Sequence, residues 1–337
     1  METDLRFLTE TYSPDKVVCR EEQLKTILHS IDVYHSFGKG YNLLLCGRTG
    51  TGKTATLNHL RKQSVFLQYI TCSIDNSPSK LLARLIGLDN YRRSDNLIYK
   101  LLDKLNKEPR GIIIDEIDKV RDLPRVLEIL NIIYREKQVP IIIATKNFKF
   151  IKLLPEDIKL TLFLKPIFFN LYNMSELKTI LEERLRLANI SLLSNQIILI
   201  CAIASNIGSA RLLLHLAYKC ITENNFKAGF MREIVKEFET QETSEFLVNQ
   251  INNSDKKILK AIFELNTQNQ LINSKVLIEK SNLSSSTVAF ALDHLEFLGM
   301  INTETKNLGG RLGKNRSVRI EKYEIEMIKR IKDVLLQ

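Results

Sequence analysis

Two runs of isoleucine set the frame. Ile112-Ile113-Ile114 and Ile141-Ile142-Ile143 are apolar at both odd and even positions, so both faces of each segment call for burial. That pattern predicts inner strands of a parallel sheet covered by helices on either side. "GIIID" (111–115) and "PIIIATKN" (140–147) carry these runs, and "YNLLLC" (41–46) and "FLQYIT" (66–71) read as two further strands. Between them Leu97, Leu101, Leu102 and Leu105 recur at helical spacing. Strand and helix alternate through residues 41–165, which predicts an α/β domain.

The alternation then stops. From Ser175 to about Glu245 the chain reads helical throughout. "SELKTILEERLRLANI" opens on a Ser N-cap and keeps an apolar stripe at Leu177, Ile180, Leu181 and Leu185. "NIGSA" (206–210) punctuates the run, and a helix is expected to start at Ser209. After Asn252 a third pattern appears. "SDKKILKAIFEL" (254–265) is a helix with a Ser or Asp cap, and "SKVLIEKS" (274–281) is a short second one. "NLSSSTVAFALDHLEFLGM" gives a turn and a long helix capped by Ser284 or Ser285 and ending at Gly299. "MINTET" and "SVRIEKY" are strand-like. Helix, helix, turn, helix, strand, turn, strand is the order of a winged helix-turn-helix. The expected division is 1–170, an α/β core; 171–248, a helical lid; and 249–337, a winged helix.

Composition narrows the field. The 337 residues are 44% apolar and 26% charged, an ordinary globular balance. The net charge of +10 favours an acidic partner such as nucleic acid. Five scattered cysteines without a C-x-x-C pair argue against a disulfide frame and a zinc site. The charged start "METDLRFLTE" is no signal peptide, and "IILICAIA" (197–204) is too short to span a bilayer. The expectation is a cytoplasmic protein without membrane contact.

The chemistry begins at "CGRTGTGKTATL" (46–57), directly after the first strand. Gly47, Gly52, Lys53 and Thr54 match G-x-x-x-x-G-K-[ST] between a strand and a helix. Such a loop turns successive backbone N–H groups inward around phosphate, and the next helix aims its positive end at the same anion. Gly47, Arg48, Thr49, Gly50, Thr51, Gly52, Lys53, Thr54 and Ala55 are therefore the candidate cradle for ATP or ADP. Lys53 is expected at the β- and γ-phosphates and the Thr54 hydroxyl on Mg²⁺. The strand "GIIID" delivers Asp115 and Glu116 to the same sheet edge, Asp115 for Mg²⁺ and Glu116 to orient the attacking water. Asp118 reads as a surface charge. At the end of "IIIATKN", Asn147 is the candidate γ-phosphate contact, with Thr145 as a rival. Arg211 falls in the first turn of a helix, where a cation opposes the dipole unless an anion faces it.

At the other end, Ser285, Ser286 and Thr287 open the expected reader helix with hydroxyls suited to phosphate and base edges. Val288, Ala291, Leu292 and Leu295 form its inward stripe. Residues 306–319 hold five basic side chains (Lys306, Arg311, Lys314, Arg316, Arg319) and no acidic one. This is the charge pattern of a wing laid on duplex DNA, with Arg311, Lys314 and Arg316 as its contacts.

These features, in this order, resemble the AAA+ ATPases. "FLTETYSPDKVVCREEQLKTI" (7–27), "LLLCGRTGTGKTATL", "YNMSELKTILEERL" (172–185) and "GSARLLLHLAYKC" (208–220) resemble the archaeal origin-recognition and cell-division-control initiators, over nearly the whole chain. The resemblance implies an α/β P-loop core, an all-α lid and a winged helix. It places the Arg20-Glu21 pair near adenine, Val18 and Tyr172 at the nucleotide, and Arg211 as the lid's sensor. It implies weak ATP hydrolysis used as a switch, origin DNA as partner, other initiator subunits or the replicative helicase as further partners, and a nucleoid location. Two departures stand out. The family's arginine that completes a neighbour's site falls here on Glu156 or Asp157, in "KLLPEDIKLTLF". The family's DNA-contacting insertion is short here, with Arg84, Arg92 and Arg93 as candidate DNA contacts and a solvated basic face as the equal alternative. A nucleotide-gated transcriptional or plasmid-maintenance regulator, or a STAND-type signalling ATPase, stands as the alternative.

Overall fold

The structure, a computed structural model, describes residues 3–74, 76–89, 96–147, 150–268, 270, 272–297, 300–307 and 314–319. The chain folds as two compact units, Met1–Val235 and Lys236–Gln337.

The first unit runs α1 (Glu21–Phe37), β1 (Leu43–Cys46), α2 (Lys53–Gln63), β2 (Leu67–Thr71), α3 (Pro78–Ile86), α4 (Leu97–Lys107) and β3 (Gly111–Asp115). It continues through α5 (Leu123–Lys137), β4 (Ile141–Thr145), α6 (Phe150–Leu153), α7 (Glu156–Leu162) and β5 (Lys165–Phe168). The five strands pair in parallel, in the order β2-β3-β4-β1-β5. Every residue of β1, β3 and β4 is buried, as the two-sided apolar runs require. Ile113, Ile142, Leu43 and Leu45 meet Ile27, Ile31, Leu57 and Leu60 in one core. The edge strand β5 is not among the strands that the apolar pattern predicts. Its Lys-Pro-Ile-Phe buries a single residue, and proline is tolerated there because an edge needs fewer ladder donors.

Four helices follow: α8 (Met174–Ala188), α9 (Ser194–Ser205), α10 (Ala210–Thr222) and α11 (Ala228–Gln250). The expected stripe Leu177, Ile180, Leu181 and Leu185 is buried. The cap is shifted from expectation. Asn173, not Ser175, accepts from the Glu176 N–H, and Glu176 returns the bond to the Asn173 N–H. Ser209 caps α10 as expected.

The second unit contains α12 (Asn253–Thr267), α13 (Ser274–Ser281), α14 (Ser285–Phe297), β6 (Asn302–Asn307) and β7 (Lys314–Arg319). Asn252 caps α12, paired with Asp255 in a capping box. At α14 the Ser284 hydroxyl accepts from the Thr287 N–H. Val288, Ala291, Leu292 and Leu295 are fully buried against Ile258, Ile262 and Leu277. β6 and β7 pair antiparallel from Asn302↔Arg319 to Asn307↔Lys314. The helix end expected at Gly299 and the loop bearing Arg311 lie outside the described residues, as do Arg92 and Arg93. Among the described residues no helix is long and apolar enough to cross a membrane.

Candidate nucleotide site

The sheet order puts β4 between β1, which feeds the glycine loop, and β3, which ends in the acidic pair. All three strand tips therefore open on one edge. A cavity of about 350 Å³ lies there, lined by Thr49–Ala55, Tyr69, Asp115, Glu116, Asp118, Thr145, Lys146 and Arg211, with the N-terminal stretch 9–14 along one side.

The loop needs its glycines for two different reasons. Gly50 and Gly52 have φ of +76° and +93°, left-handed values that a side chain strains. A Cβ on Gly50 would also strike the Ser209 hydroxyl, and one on Gly52 the Tyr172 hydroxyl. Gly47 lacks that geometry, but a Cβ there would meet the Phe169 carbonyl at 2.6 Å. The lid helix seals the loop's tip, where the Ala210 N–H donates to the Gly50 carbonyl at 3.0 Å. Gly47 and Arg48 sit at the root of the loop, outside the cavity lining.

Lys53 is 8% exposed, and its ammonium donates to the Gly47 carbonyl and to the Arg48 carbonyl at 3.0 Å. Burial lowers its pKa to about 8, against the pull of Asp115. The Thr54 hydroxyl donates to Asp115 Oδ2 at 2.8 Å, and the Tyr69 hydroxyl to the same oxygen at 3.0 Å. Asp115 Oδ1 accepts from the Glu116 N–H. Asp115 is buried, and that burial raises its pKa against those hydrogen bonds. Glu116 occupies φ +57°, and its carboxylate is held by Thr71 Oγ1, Ser73 Oγ and the Lys119 ammonium at 2.9 Å. Arg211 reaches the cavity and pairs through Nε with Glu10 at 2.9 Å.

Several expected positions fall elsewhere. Asn147 is 8% exposed and absent from the cavity lining, and its backbone N–H donates to Thr145 Oγ1. β4 ends at Thr145, so the next residue, Lys146, is what the strand tip presents. Asp118 is no surface charge. It accepts from Thr145 Oγ1 at 2.5 Å and from the Lys146 N–H at 2.7 Å. Val18 is not among the lining residues; the segment that is runs from Thr9 to Pro14. Tyr172 is buried behind the loop, its ring 3.7 Å from the Arg20 guanidinium carbon. Arg20 itself is 3% exposed and donates to the carbonyls of Thr51, Cys19 and Asn170, bracing the loop from behind.

In the second unit Ser285 and Ser286 are exposed and Thr287 half-buried. Lys314 and Arg316 stand in β7, facing Asn307 and Thr305 of β6 in register.

A parallel sheet in this order, with a glycine loop after β1, an acidic pair after β3 and a helical lid closing on the loop, defines an AAA+ nucleotide-binding core. Residues 38–154 match a family model described as an AAA domain. Over nearly its whole length the chain is similar to archaeal ORC1-type DNA replication proteins. It is 27% identical to the ORC1-type DNA replication protein 1 of Sulfurisphaera tokodaii, across 97% of this chain and 92% of that one. Against its Archaeoglobus fulgidus counterpart the identity is 26%, across 94% and 87%. The fold is similar to the Aeropyrum pernix ORC1 protein in its complex with DNA, with a TM-score of 0.64 at 22% identity over 99% of this chain and 98% of that one. For Cdc6p of Pyrobaculum aerophilum the TM-score is 0.54 at 19% identity, over 98% and 99%.

Proposed function

We propose that this chain is an ATP-dependent replication initiator that binds duplex DNA, with origin DNA as its target. The observation that carries this reading is the convergence of the glycine loop, the Asp115–Glu116 pair and Arg211 on one cavity. ORC1-type relatives aligned over nearly the whole chain support the DNA role.

The cavity fits a magnesium–triphosphate. Its loop turns through the left-handed Gly50 and Gly52 into the buried Lys53, and Thr54 and Asp115 bring a hydroxyl and a buried carboxylate within 2.8 Å of each other. An all-oxygen donor pair suits a hard cation. Thr54 and Asp115 hold Mg²⁺ in this reading, and the ion neutralises charge on the phosphates when bound. Lys53 leaves the Gly47 and Arg48 carbonyls for the phosphates. Glu116 orients the attacking water once released from Lys119. Arg211 exchanges Glu10 for phosphate and so ties the lid to the bound nucleotide. Turnover is weak and acts as a switch on DNA binding.

The second unit is read as a winged helix. Ser285, Ser286 and Thr287 face the groove, and Arg311, Lys314 and Arg316 neutralise phosphates. Further initiator subunits or the replicative helicase are the protein partners, and the location is the nucleoid of the cytoplasm. A second reading, a DNA-binding regulator with vestigial turnover, is favoured by one observation: α7 opens with exposed Glu156 and Asp157 where an arginine would serve a neighbour's site. Footprinting on chromosomal DNA with ATP and with ADP separates the two. Nucleotide-dependent protection of an origin supports the initiator; protection confined to promoters supports the regulator.

A further inference from the structure

The outward face of α14 carries a residue to which the proposed function gives no part. Val288, Ala291, Leu292 and Leu295 of this helix are fully buried against α12 and α13. Ser286, Ala289, Phe290 and Asp293 recur at i, i+3, i+4 and i+7, which sets them on the opposite face, and all four are exposed. Phe290 is 67% exposed. A single exposed ring is ordinary on a protein surface; the helix that bears this one makes it informative. α14 contains no lysine or arginine, so it lacks the side chains that read guanine through paired hydrogen bonds. The hydroxyls at its start engage one another: Ser284 Oγ lies 3.0 Å from Ser286 Oγ and 2.7 Å from Thr287 Oγ1, and it accepts from the Thr287 N–H. His294 turns back to Asp255, with Nδ1 2.7 Å from a carboxylate oxygen. Phe290 stands about 6 Å along the axis from Ser286, in the first half of the helix. The cations of this unit are held beside it. Glu296, near the end of α14, accepts from the Thr303 N–H at 3.0 Å and from the Thr303 hydroxyl at 2.7 Å, which fixes β6 to the helix. β6 pairs with β7, and residues 306–319 across this hairpin are basic with no acidic one.

We propose that Phe290 is a specificity-determining residue whose ring meets the C5-methyl group of a thymine in the major groove of the bound duplex. This rests on the reading of the second unit as a DNA-binding winged helix. Thymine alone presents a methyl group in that groove, and an apolar side chain reads it by contact. The basic hairpin holds phosphates without regard to sequence, and the ring selects the register. The charge of 306–319 favours a polyanion, rather than the apolar groove of a protein, as the cover for this ring.

The test begins with selection of a duplex from a random-sequence pool by the full chain with ATP. Each thymine of the selected duplex is then replaced in turn by deoxyuridine, which keeps the base pair and removes only the methyl group. Affinities are read by fluorescence anisotropy at one salt concentration. For the wild type, deoxyuridine at the thymine under the ring is expected to weaken binding about fourfold, the worth of one buried methyl group. Phe290→Ala is expected to bind the selected duplex more weakly and to show no deoxyuridine penalty at that position. It should bind random duplex within about twofold of the wild type, since phosphate contacts are unchanged. Intact binding of random duplex also shows that the variant is folded. Phe290→Leu is expected to keep part of the penalty. A penalty absent at every position, or equal in the wild type and Phe290→Ala, overturns the proposal and leaves DNA binding in place. Equal loss on selected and random duplex makes the ring a general contact and overturns it too. So does unaltered binding of both duplexes by Phe290→Ala, the result expected if a protein covers the ring. Failure of the wild type to bind any duplex overturns the DNA reading itself and the proposal with it.

Discussion

At the scale of single residues, the site is built from groups held in costly states. Gly50 and Gly52 carry left-handed backbone at points where the Ser209 and Tyr172 hydroxyls occupy the space a side chain would need. Gly50→Ala is expected to destabilise the first unit by about 1–3 kcal/mol and to weaken ATP binding, read by thermal denaturation and by titration. A variant as stable as wild type would show that the lid does not pack on the loop as described. Tyr69 gives Asp115 one of its hydrogen bonds inside the protein. Tyr69→Phe leaves that buried carboxylate a donor short and should cost about 1–3 kcal/mol without magnesium, with a smaller loss when magnesium–ATP is present. The loop residues and the acidic pair are legible in the sequence because their spacing and strand context are dictated by phosphate geometry. Lys146 and Asp118 are not. Their positions depend on where β4 stops and on how the turn after Glu116 folds back, and a two-residue uncertainty in a strand end decides whether Asn147 or Lys146 meets the cavity.

At the scale of elements, the isoleucine runs predict β3 and β4 because inner parallel strands bury both faces, and each is buried throughout. β5 escapes such a reading because an edge strand with one buried residue leaves no such pattern. The capping residues shift by a few positions, from Ser175 to Asn173 and from Ser254 or Asp255 to Asn252, since several short polar side chains precede each helix and all can cap. Asn252→Ala should therefore lower stability by about 0.5–2 kcal/mol in denaturant titration, whereas Ser254→Ala should be near neutral. In α14, Leu292 is fully buried among Ile258, Ile262 and Leu277. Leu292→Ala is expected to cost about 2–5 kcal/mol, with DNA affinity falling at temperatures where ATP affinity is intact. Parallel loss of both activities would place the reader helix in a different role.

At the scale of the whole molecule, the proposed function divides labour between a nucleotide-binding unit and a DNA-binding one whose basic residues are concentrated, without acidic ones between them, at 306–319. The charge of +10 and the base-only stretch 306–319 make DNA affinity an electrostatic quantity. Replacing Lys314 and Arg316 with Gln should reduce the slope of log affinity against log salt by about 1.8, and an unchanged slope would remove the wing from the interface. Everything upstream of DNA depends on one shared magnesium–triphosphate at the meeting of loop and acidic pair. A crystal of the chain grown with Mn²⁺ and a non-hydrolysable ATP analogue tests this most directly, through the metal's anomalous signal. The account predicts a single Mn²⁺ peak in contact with the Thr54 hydroxyl, with Asp115 in its immediate surroundings and the phosphates wrapped by residues 47–54. A triphosphate bound elsewhere, or a metal remote from both Thr54 and Asp115, would contradict it.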